Sequence, residues 1–579
     1  MKSSFNQAKL RIRHQRRAIG WGPVGLERTA SIHEADYFAG CSASRYVIRS
    51  TTNSPAKWEG RKMATSLDRI EHIVVLMLEN RSFDNLLGWL YDPANQAPFD
   101  REPPGNFAGV YGKKLSNPRL DGSNVPVGKG TDVTAPYPDP GEPFQDVYAQ
   151  IYGQKTTQYA NAVTKEPPRP CNMQGFLYNY LLKNQSNPAN ADTIMNCFTP
   201  ARIPVLSSLA HYYGLCDHWF ASVPSQTLCN RSFMVAGTSS GYVNNDGGDG
   251  ILFTNSTPTI FDLLSQAGKS WKVYCGGWTV TSIALLTQRQ LWDFAVQPGY
   301  FEHLTDFLVD AQKPGGLPAF SFIEPNYMDS VVHGPENDMH PESHAFQLFG
   351  RSNVEQGEKL VYQVYSAIRK SPDWDKILLL ILFDEHGGCY DHVCPPTTKD
   401  CPFAISPDNV VIPPDQPGGT GFNFDRLGVR IPAIVVSAYT AEETILNTTF
   451  DHTSALSTVV DCFGLPKQKL GKRQAAAPNV SEALTLSDPR QDLPAISPPI
   501  AADVSVVNRA DALAASILQA KAKPLSSLQI KIMVGAAKRL GLTREQQVEL
   551  AKSPTVFDAD AELLKLEAEL VAKRATKVL

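Results

Sequence analysis

The sequence predicts an α/β protein with a mostly parallel sheet flanked by helices, and with a helical extension at its C-terminal end. Two unbroken apolar runs, at residues 73–78 and 377–383, are typical of strands covered on both faces, which occur mainly in parallel sheets. Both runs also end in carboxylates, at Glu79 and at Asp384 with Glu385. Because ligands of open α/β sheets bind beyond the carboxyl ends of the strands, these strand ends are the predicted site.

The composition argues against several classes of protein. The 579 residues carry a net charge of −4, so no overall basic field attracts nucleic acid, and we expect no nucleic-acid partner. The chain contains no run of about 18 apolar residues, and we predict no transmembrane helix. Ten cysteines occur without a CxxC pair, which argues against zinc knuckles and thioredoxin-like motifs. The cysteine pattern is compatible both with reduced thiols and with a few disulfide bridges.

Residues 1–64 differ from the rest of the chain. They are basic near the start, and the sequence after Arg16 and Arg17 is too short and too interrupted by glycine and proline for a leader. We interpret this segment as disordered or spurious, because Met63 stands just before the first strand. Without a convincing signal peptide, the sequence favours a cytoplasmic location.

The remaining elements alternate between strands and helices, which supports a parallel sheet. Apolar runs predict further strands at residues 270–274, 319–325 and 431–437. Helical spacing predicts helices at residues 175–183, 203–211, 258–267 and 356–371, and another that begins at 451–454. Thr257 is the predicted cap of the helix at 258–267, with a proline in its first position.

A hydroxyl-bearing turn at residues 224–227 leads into a further predicted helix. The first turn of a helix presents free backbone N–H groups and favours anions. Ser225 and Thr227 are therefore both candidate nucleophiles, and the residues alone do not choose between them.

Changes in composition divide the chain into four predicted segments. The N-terminal segment is followed by a catalytic domain at 65–465, a linker or surface wrap at 466–509, and a helical extension at 510–579. In the extension, helical spacing covers residues 529–540, 544–552 and 559–573. We expect these helices to pack on the core or to mediate self-association, rather than to carry catalysis.

Convergence of the strand ends brings several oxygen ligands together, namely those of Glu79, Asn80, Asp384 and Glu385. Three carboxylates repel one another unless a cation lies among them, and a divalent metal ion is the simplest choice. Oxygen ligands favour Ca²⁺, Mg²⁺ or Mn²⁺ over zinc. Such an ion makes a neighbouring hydroxyl more acidic and shields charge on a phosphoryl or sulfuryl oxygen.

Proton transfer to the leaving group needs an acid near neutral pH, and His340 or His452 can supply it. The histidines at positions 72, 211 and 218 are interpreted as packed residues.

Binding of the non-bridging oxygens is the predicted role of Arg81, Asn230 or Arg231, since an arginine offers two parallel donors. Arg81 has an equally acceptable structural interpretation, an ion pair with Asp84.

Six motifs, in order across residues 70–465, resemble the bacterial phosphoesterase family of non-hemolytic phospholipases C and AcpA-type acid phosphatases. They are ENRSFDN at 79–85, PSQTLCNR at 224–231, NDMHP at 337–341, FDEHGGCYDHVCPP at 383–396, RLGVRIPAIVVS at 426–437 and DHTS at 451–454. The resemblance implies an alkaline-phosphatase-like core and a phosphoryl-enzyme formed on Thr227 rather than Ser225. It also implies one metal ion on Glu79, Asn80, Asp384 and Glu385, with His340 and His452 lining the phosphate pocket.

Two positions depart from the family pattern. Glu142 stands where relatives usually carry a histidine, and Cys229 stands where they often carry a proline. The first difference concerns how the leaving group is protonated and which substrate is used. Relatives are also frequently exported.

We therefore expect a metal-dependent phosphoric ester hydrolase that resembles phospholipase C and acts through a phosphoryl-threonine. A phosphatidylcholine-like lipid is the first choice of substrate. A broad acid phosphomonoesterase is the alternative, and a non-catalytic phosphoester-binding protein is the alternative of another class.

Overall fold

An eight-stranded sheet forms the centre of the chain in the computed structural model. The structure describes residues 66–153, 170–184, 188–245, 255–328, 330, 333–341, 352–407, 422–492, 494–499, 534, 536–537, 540–552 and 556–578. The chain separates into two units, Met1–Lys62 and Met63–Leu579. All described residues belong to the second unit, so the expectation for residues 1–64 lies outside them.

The strands are numbered in chain order. They are β1 (His72–Leu78), β2 (Ser116–Pro118), β3 (Asn124–Pro126), β4 (Gly128–Gly130), β5 (Asn196–Phe198), β6 (Gly214–Cys216), β7 (Trp271–Cys275), β8 (Phe301–His303), β9 (Phe320–Glu324), β10 (Ile377–Phe383), β11 (Ala433–Ser437) and β12 (Thr444–Leu446). The large sheet has the order β12-β6-β11-β10-β1-β9-β7-β8. All of its pairings are parallel except those of β11 with β10 and β6, so the predicted mostly parallel sheet is confirmed.

The described α-helices flank this sheet and are also numbered in chain order. They are α1 (Phe83–Leu87), α2 (Phe144–Tyr152), α3 (Phe176–Lys183), α4 (Pro204–Tyr212), α5 (Thr227–Ala236), α6 (Ile260–Gln266), α7 (Ile283–Thr287), α8 (Trp292–Ala295), α9 (Leu304–Asp310), α10 (Val354–Arg369), α11 (His452–Cys462), α12 (Lys472–Ala476), α13 (Arg544–Ala551) and α14 (Val556–Val578). The central strands β1 and β10 are buried along their whole length, as an apolar run without alternation predicts.

The cap predicted for α6 is wrong by two residues. Thr259, not Thr257, is the N-cap, and its hydroxyl accepts a hydrogen bond from the Asp262 backbone N–H at 3.2 Å. The Asp262 carboxylate accepts the Thr259 N–H at 2.8 Å in return. This reciprocal pair needs an acid three residues after the cap, which Thr259 has. Thr257 instead donates to Asn255.

Part of the segment predicted as a linker or wrap lies against the core. Residues 472–476 form α12, and Arg473 is fully buried with a hydrogen bond of 2.9 Å from Nη2 to the Ser222 carbonyl oxygen. In the C-terminal extension, Glu567 of α14 accepts hydrogen bonds from the Thr279 hydroxyl and the Val280 N–H. Helix α14 therefore packs on the core, whereas self-association through this region stays a prediction.

One disulfide, between Cys171 and Cys394, joins distant loops of the described chain. The other described cysteines are free thiols, at positions 197, 216, 229, 275, 389, 401 and 462. Within the described ranges, no helix has the length and apolar character that crossing a membrane requires.

Candidate active site

The ends of β1 and β10 bring two acidic segments together. Leu78 and Phe383 are register partners, so Glu79 and Asp384 leave the sheet side by side. The Asn80 backbone N–H then donates to Asp384 Oδ1 at 3.1 Å. Asn80 adopts a left-handed φ of 58°, which asparagine tolerates better than most residues and which turns the chain sharply after the strand.

A tight glycine turn holds Glu385 beside this loop. The Gly387 N–H donates to Glu385 Oε2 at 2.8 Å, and Gly387 has a φ of 61°. A Cβ at Gly387 would lie 2.1 Å from the Asn80 carbonyl oxygen, so only glycine allows the two loops to approach this closely. Glu385 is fully buried, and its Oε1 has no hydrogen-bond partner among the described residues.

Only one of the two candidate nucleophiles faces these groups. Thr227 is the first residue of α5, and its hydroxyl donates to Asn80 Oδ1 at 3.4 Å. The Ser225 hydroxyl instead donates to the Val243 carbonyl oxygen. The geometry therefore favours Thr227, in agreement with the family resemblance.

The side chain of Asn230, a predicted oxygen-binding residue, makes its hydrogen bonds within the protein. Its Oδ1 accepts the Val223 N–H at 3.0 Å, and its Nδ2 donates to the carbonyl oxygens of Val223, Ser225 and Gln226. These bonds hold the turn that presents Thr227.

Arg231 is also engaged inside the protein. Its Nε donates to Asp384 Oδ2 at 3.0 Å, and its Nη2 lies 3.4 Å from Glu79 Oε1 and donates to the carbonyl oxygens of Met77 and Leu78. Burial alone would lower the pKa of Arg231, but Tyr327 and the three nearby carboxylates raise it. Three converging carboxylates predict a cation among them, and Arg231 is one such cation.

His340 lies at the other side of the carboxylates. Its Nε2 is 3.3 Å from Glu142 Oε1, and its Nδ1 is 3.9 Å from Asp139 Oδ1. Glu142 Oε1 also accepts a hydrogen bond from Asn80 Nδ2. Ligand atoms of Asp139, Glu142 and His340 lie within 4.8 Å of one another.

His452 begins α11 and supports the end of β10. Its Nε2 is 2.6 Å from the Asp384 carbonyl oxygen, which can only accept a hydrogen bond, so Nε2 carries the proton. Burial lowers the pKa of His452 and favours the neutral ring. In that tautomer Nδ1 holds a lone pair, so His452 is not suited to donate a proton to a leaving group.

Arg81 binds backbone and amide oxygens. Its guanidinium donates to the Met339 and Ala135 carbonyl oxygens at 2.7 Å each and to Asn85 Oδ1 at 3.2 Å. The ion pair with Asp84 is not formed, since that carboxylate binds other residues. Arg81 Nη2 is buried and lacks a hydrogen-bond partner among the described residues.

Burial and mutual repulsion strongly affect the acids of this site. The pKa of Glu79 lies well above its usual value because of burial and of Asp384, although Arg231 opposes the shift. Burial, Glu142 and Asp384 likewise raise the pKa of Glu385. One buried guanidinium therefore does not balance the carboxylates, and their oxygen atoms, with Asn80 Oδ1, fit a hard divalent cation.

Four acids beside the site were not predicted as site residues: Asp139, Glu142, Glu324 and Asp338. Glu324 ends β9 beside β1 and lies 4.0 Å from Arg231 Nη1. The sequence signal for Glu324 was a third apolar run that ends in a carboxylate.

Burial raises the pKa of Asp338 to about 7. Asp139 and Asp338 lie in loops, where no periodicity indicates which side chains turn inward.

Comparisons with known proteins show which family the chain is similar to. Residues 70–466 match the Phosphoesterase family. The chain is 34% identical over 448 residues to non-specific phospholipase C4 of Arabidopsis thaliana, covering 74% of this chain and 75% of that protein. It is 28% identical over 444 residues to phospholipase C B of Mycobacterium tuberculosis (strain ATCC 25618 / H37Rv), covering 70% and 75% respectively. A solved structure in the alkaline phosphatase superfamily from Vibrio parahaemolyticus is similar at 13% identity and a TM-score of 0.28, over 47% of this chain and 63% of that chain.

The mostly parallel sheet is that of an α/β protein, and the family match with its phospholipase C relatives makes the chain a hydrolase of phosphoric esters. The chain belongs to the Phosphoesterase family, and it is a phospholipase C-like phosphoesterase. The predicted family resemblance and enzyme class are therefore confirmed.

Proposed function

We propose that this enzyme hydrolyses phosphodiesters of phosphatidylcholine-like lipids by double displacement through Thr227, with one divalent metal ion. One observation carries the proposal: the Thr227 hydroxyl, at the start of α5, donates to Asn80 Oδ1 beside the buried carboxylates. A hydroxyl in this position combines a helix N-terminus, which favours phosphoryl oxygens, with a site that favours a cation.

Glu79, Asn80, Asp384 and Glu385 would hold the ion, which would make the bound hydroxyl more acidic and shield charge on the phosphoryl oxygens. Their oxygen donors favour Ca²⁺, Mg²⁺ or Mn²⁺. Raised pKa values at Glu79 and Glu385 support a site in which Arg231 alone supplies too little positive charge.

In the first displacement, the Thr227 hydroxyl releases its proton to solvent, Oγ1 forms a bond to phosphorus, and the bond from phosphorus to the diacylglycerol oxygen breaks. In the second, a water oxygen attacks phosphorus and loses one proton to His340, the Thr227 ester breaks, and the phosphorylated head group leaves. A proton from solvent restores the Thr227 hydroxyl. The phosphoryl group therefore stays on the enzyme between the two displacement steps.

His340 is the proposed acid that protonates the leaving oxygen. Two carboxylates, those of Glu142 and Asp139, face its ring and stabilise an imidazolium. His452 is instead proposed to position Asp384, because its N–H is committed to the Asp384 carbonyl oxygen. His340 and His452, which the sequence predicts as alternative acids, are thus proposed to have different roles.

Arg81 is the one predicted oxygen-binding residue for which that role is retained in the proposal. Its Nη2 is the part of the guanidinium that no described residue occupies. Asn230 and Arg231 are proposed as positioning residues, since the first holds the Thr227 turn and the second binds Asp384.

Hydrolysis of p-nitrophenylphosphorylcholine and of p-nitrophenyl phosphate tests the proposal with wild type, Thr227→Ala and the matched control Ser225→Ala. We expect Thr227→Ala to lose at least about a thousandfold in kcat, whereas Ser225→Ala keeps activity within about tenfold. Exhaustive chelation is expected to abolish turnover, and added Mn²⁺, Mg²⁺ or Ca²⁺ to restore it.

The same assays separate the alternatives. Preference for the monoester would favour a broad acid phosphomonoesterase. Failure of the metal-loaded wild type to hydrolyse either ester would favour a phosphoester-binding protein. Full activity in Thr227→Ala would exclude this nucleophile.

A further inference from the structure

Lys113 heads a hydrogen-bonded chain that lies apart from the carboxylate site. Its Nζ is 2.7 Å from His392 Nε2, and His392 Nδ1 is 2.6 Å from Asp84 Oδ2. The His392 backbone N–H also donates to Asp84 Oδ2 at 2.8 Å. An amine, an imidazole and a buried carboxylate therefore follow one another in a line.

The order of these groups fixes the state of His392. The Asp84 carboxylate accepts hydrogen bonds, so the imidazole carries its proton on Nδ1. Nε2 then holds a lone pair that points at the Lys113 amine. This is the arrangement of an acid, a base and a nucleophile in hydrolase triads, with an amine in place of a hydroxyl.

Arg430 makes this arrangement rigid. Its Nη2 donates to Asp84 Oδ1 at 2.9 Å, and its Nε donates to Asp391 Oδ1 at 2.9 Å. Asp84, Asp391 and His392 offer atoms close enough to hold a metal ion, but the guanidinium already supplies the positive charge there. The cluster is therefore a preorganised base rather than a metal site.

We propose that Lys113 is a nucleophilic lysine that accepts acyl groups from activated esters, with His392 as its base and Asp84 as the residue that orients His392. The reaction class is aminolysis of an ester. It is independent of the phosphoester site, because none of these side chains belongs to the proposed metal or nucleophile set.

The step balances without an outside oxidant or reductant. The lone pair of Lys113 Nζ attacks the acyl carbon, an N–C bond forms, and the ester C–O bond breaks. His392 Nε2 takes the proton that the amine loses, and the departing alkoxide receives that proton. The products are an amide on Lys113, a free alcohol and an unchanged His392.

The surroundings of Lys113 favour the neutral amine that this step requires. Burial lowers the pKa of Lys113, and the Arg430 charge acts in the same direction, whereas Asp84 and Asp391 oppose it. The residue as a whole remains exposed to solvent, so an acyl donor can reach it. Lys114 is exposed in the same loop and serves as an internal control.

Acetylation rates of single lysines test the proposal. The native enzyme is treated with a limiting concentration of p-nitrophenyl acetate, and the acetylated fraction at Lys113 and Lys114 is followed by peptide mass spectrometry. We expect Lys113 to react at least about tenfold faster than Lys114, because His392 can take the proton from the amine as the N–C bond forms. In protein unfolded by urea, the two rates are expected to become equal.

His392→Gln removes the base and is expected to bring the Lys113 rate down to that of Lys114. Thr227→Ala is expected to leave the Lys113 rate unchanged, which separates this proposal from the hydrolase mechanism. Equal rates at the two lysines in native wild type would overturn the proposal, even if His392→Gln failed to fold. If Lys113 were still acetylated faster than Lys114 in folded His392→Gln, the role of His392 as the base would be overturned.

Discussion

The side-chain amide of Asn80 donates to the carboxylate of Glu142, and this bond orients the amide. With Nδ2 directed to Glu142, Oδ1 faces the Thr227 hydroxyl. Glu142 therefore contacts both Asn80 and His340.

Glu142→Ala is expected to weaken Mn²⁺ binding and to lower kcat, each by about 10- to 100-fold, because it removes the partner that orients Asn80. Glu142→Gln keeps an acceptor for Asn80 and is expected to bind Mn²⁺ within about tenfold of wild type. Titration calorimetry on metal-free protein measures the affinity. Equal Mn²⁺ affinity in wild type and Glu142→Ala would contradict this role.

Arg231→Met is expected to lower the free energy of unfolding by about 3–5 kcal/mol in metal-free enzyme, because it leaves buried carboxylates without their cation. Arg231→Lys keeps the positive charge and is expected to lose less of the free energy of unfolding. Denaturant unfolding measures both variants. A substrate-binding role predicts a raised KM with unchanged stability, and that result would contradict the position of Arg231 described above.

Arg473→Met tests whether the segment at 466–509 is part of the catalytic domain. Arg473 Nη2 lies 3.3 Å from Asp451 Oδ2, and both residues are fully buried. We expect a loss of about 3–5 kcal/mol in the free energy of unfolding, since the Asp451 carboxylate would remain buried without its cation. Exposed Lys469→Met is the control, with a change within about 0.5 kcal/mol. If the two variants had the same free energy of unfolding, residues 466–509 would be a linker and not part of the catalytic domain.

Glu358 provides a prediction about pH. Its carboxylate accepts the Val205 and Leu206 N–H groups at the start of α4, and burial raises its pKa to about 8 from an ordinary 4.5. A raised folded-state pKa gives stability that is fully present below the unfolded pKa and is lost as pH rises towards the folded pKa.

Wild type is therefore expected to lose up to about 1.4 kcal/mol per pH unit, relative to Glu358→Gln, between about pH 4.5 and pH 8. Urea unfolding at pH 5, pH 6.5 and pH 8 measures the difference. A difference that does not change with pH would show that Glu358 is ionised in the folded protein.

Much of the site was predictable because it is built at strand ends. The apolar runs of β1 and β10 determine both the strands and the positions of Glu79 and Asp384, since neighbouring parallel strands end at one edge. The direction of a long side chain is set by tertiary contacts instead. Arg231 reaches back to the carbonyl oxygens of Met77 and Leu78, which no local pattern encodes.

The directions of side chains in loops were also difficult to predict from the sequence. The Glu142 side chain lies in a loop without helical or strand periodicity, and its inward direction depends on Asn80 and His340 from distant parts of the chain. Thr227 and Ser225 are equivalent by composition, and only tertiary contacts distinguish them: the Thr227 hydroxyl donates to Asn80 Oδ1 and the Ser225 hydroxyl to the Val243 carbonyl oxygen.

In the proposed mechanism, Thr227 carries the phosphoryl group during turnover. Rapid mixing of metal-loaded wild type with p-nitrophenylphosphorylcholine, followed by an acid quench and peptide mass spectrometry, tests it directly. We expect a phosphorylcholine ester on the peptide that contains Thr227, with fragmentation assigning it to that residue and with none in Thr227→Ala. A quenched enzyme that turns over this substrate, yet carries the ester on another residue or on none throughout the pre-steady state, would contradict the account.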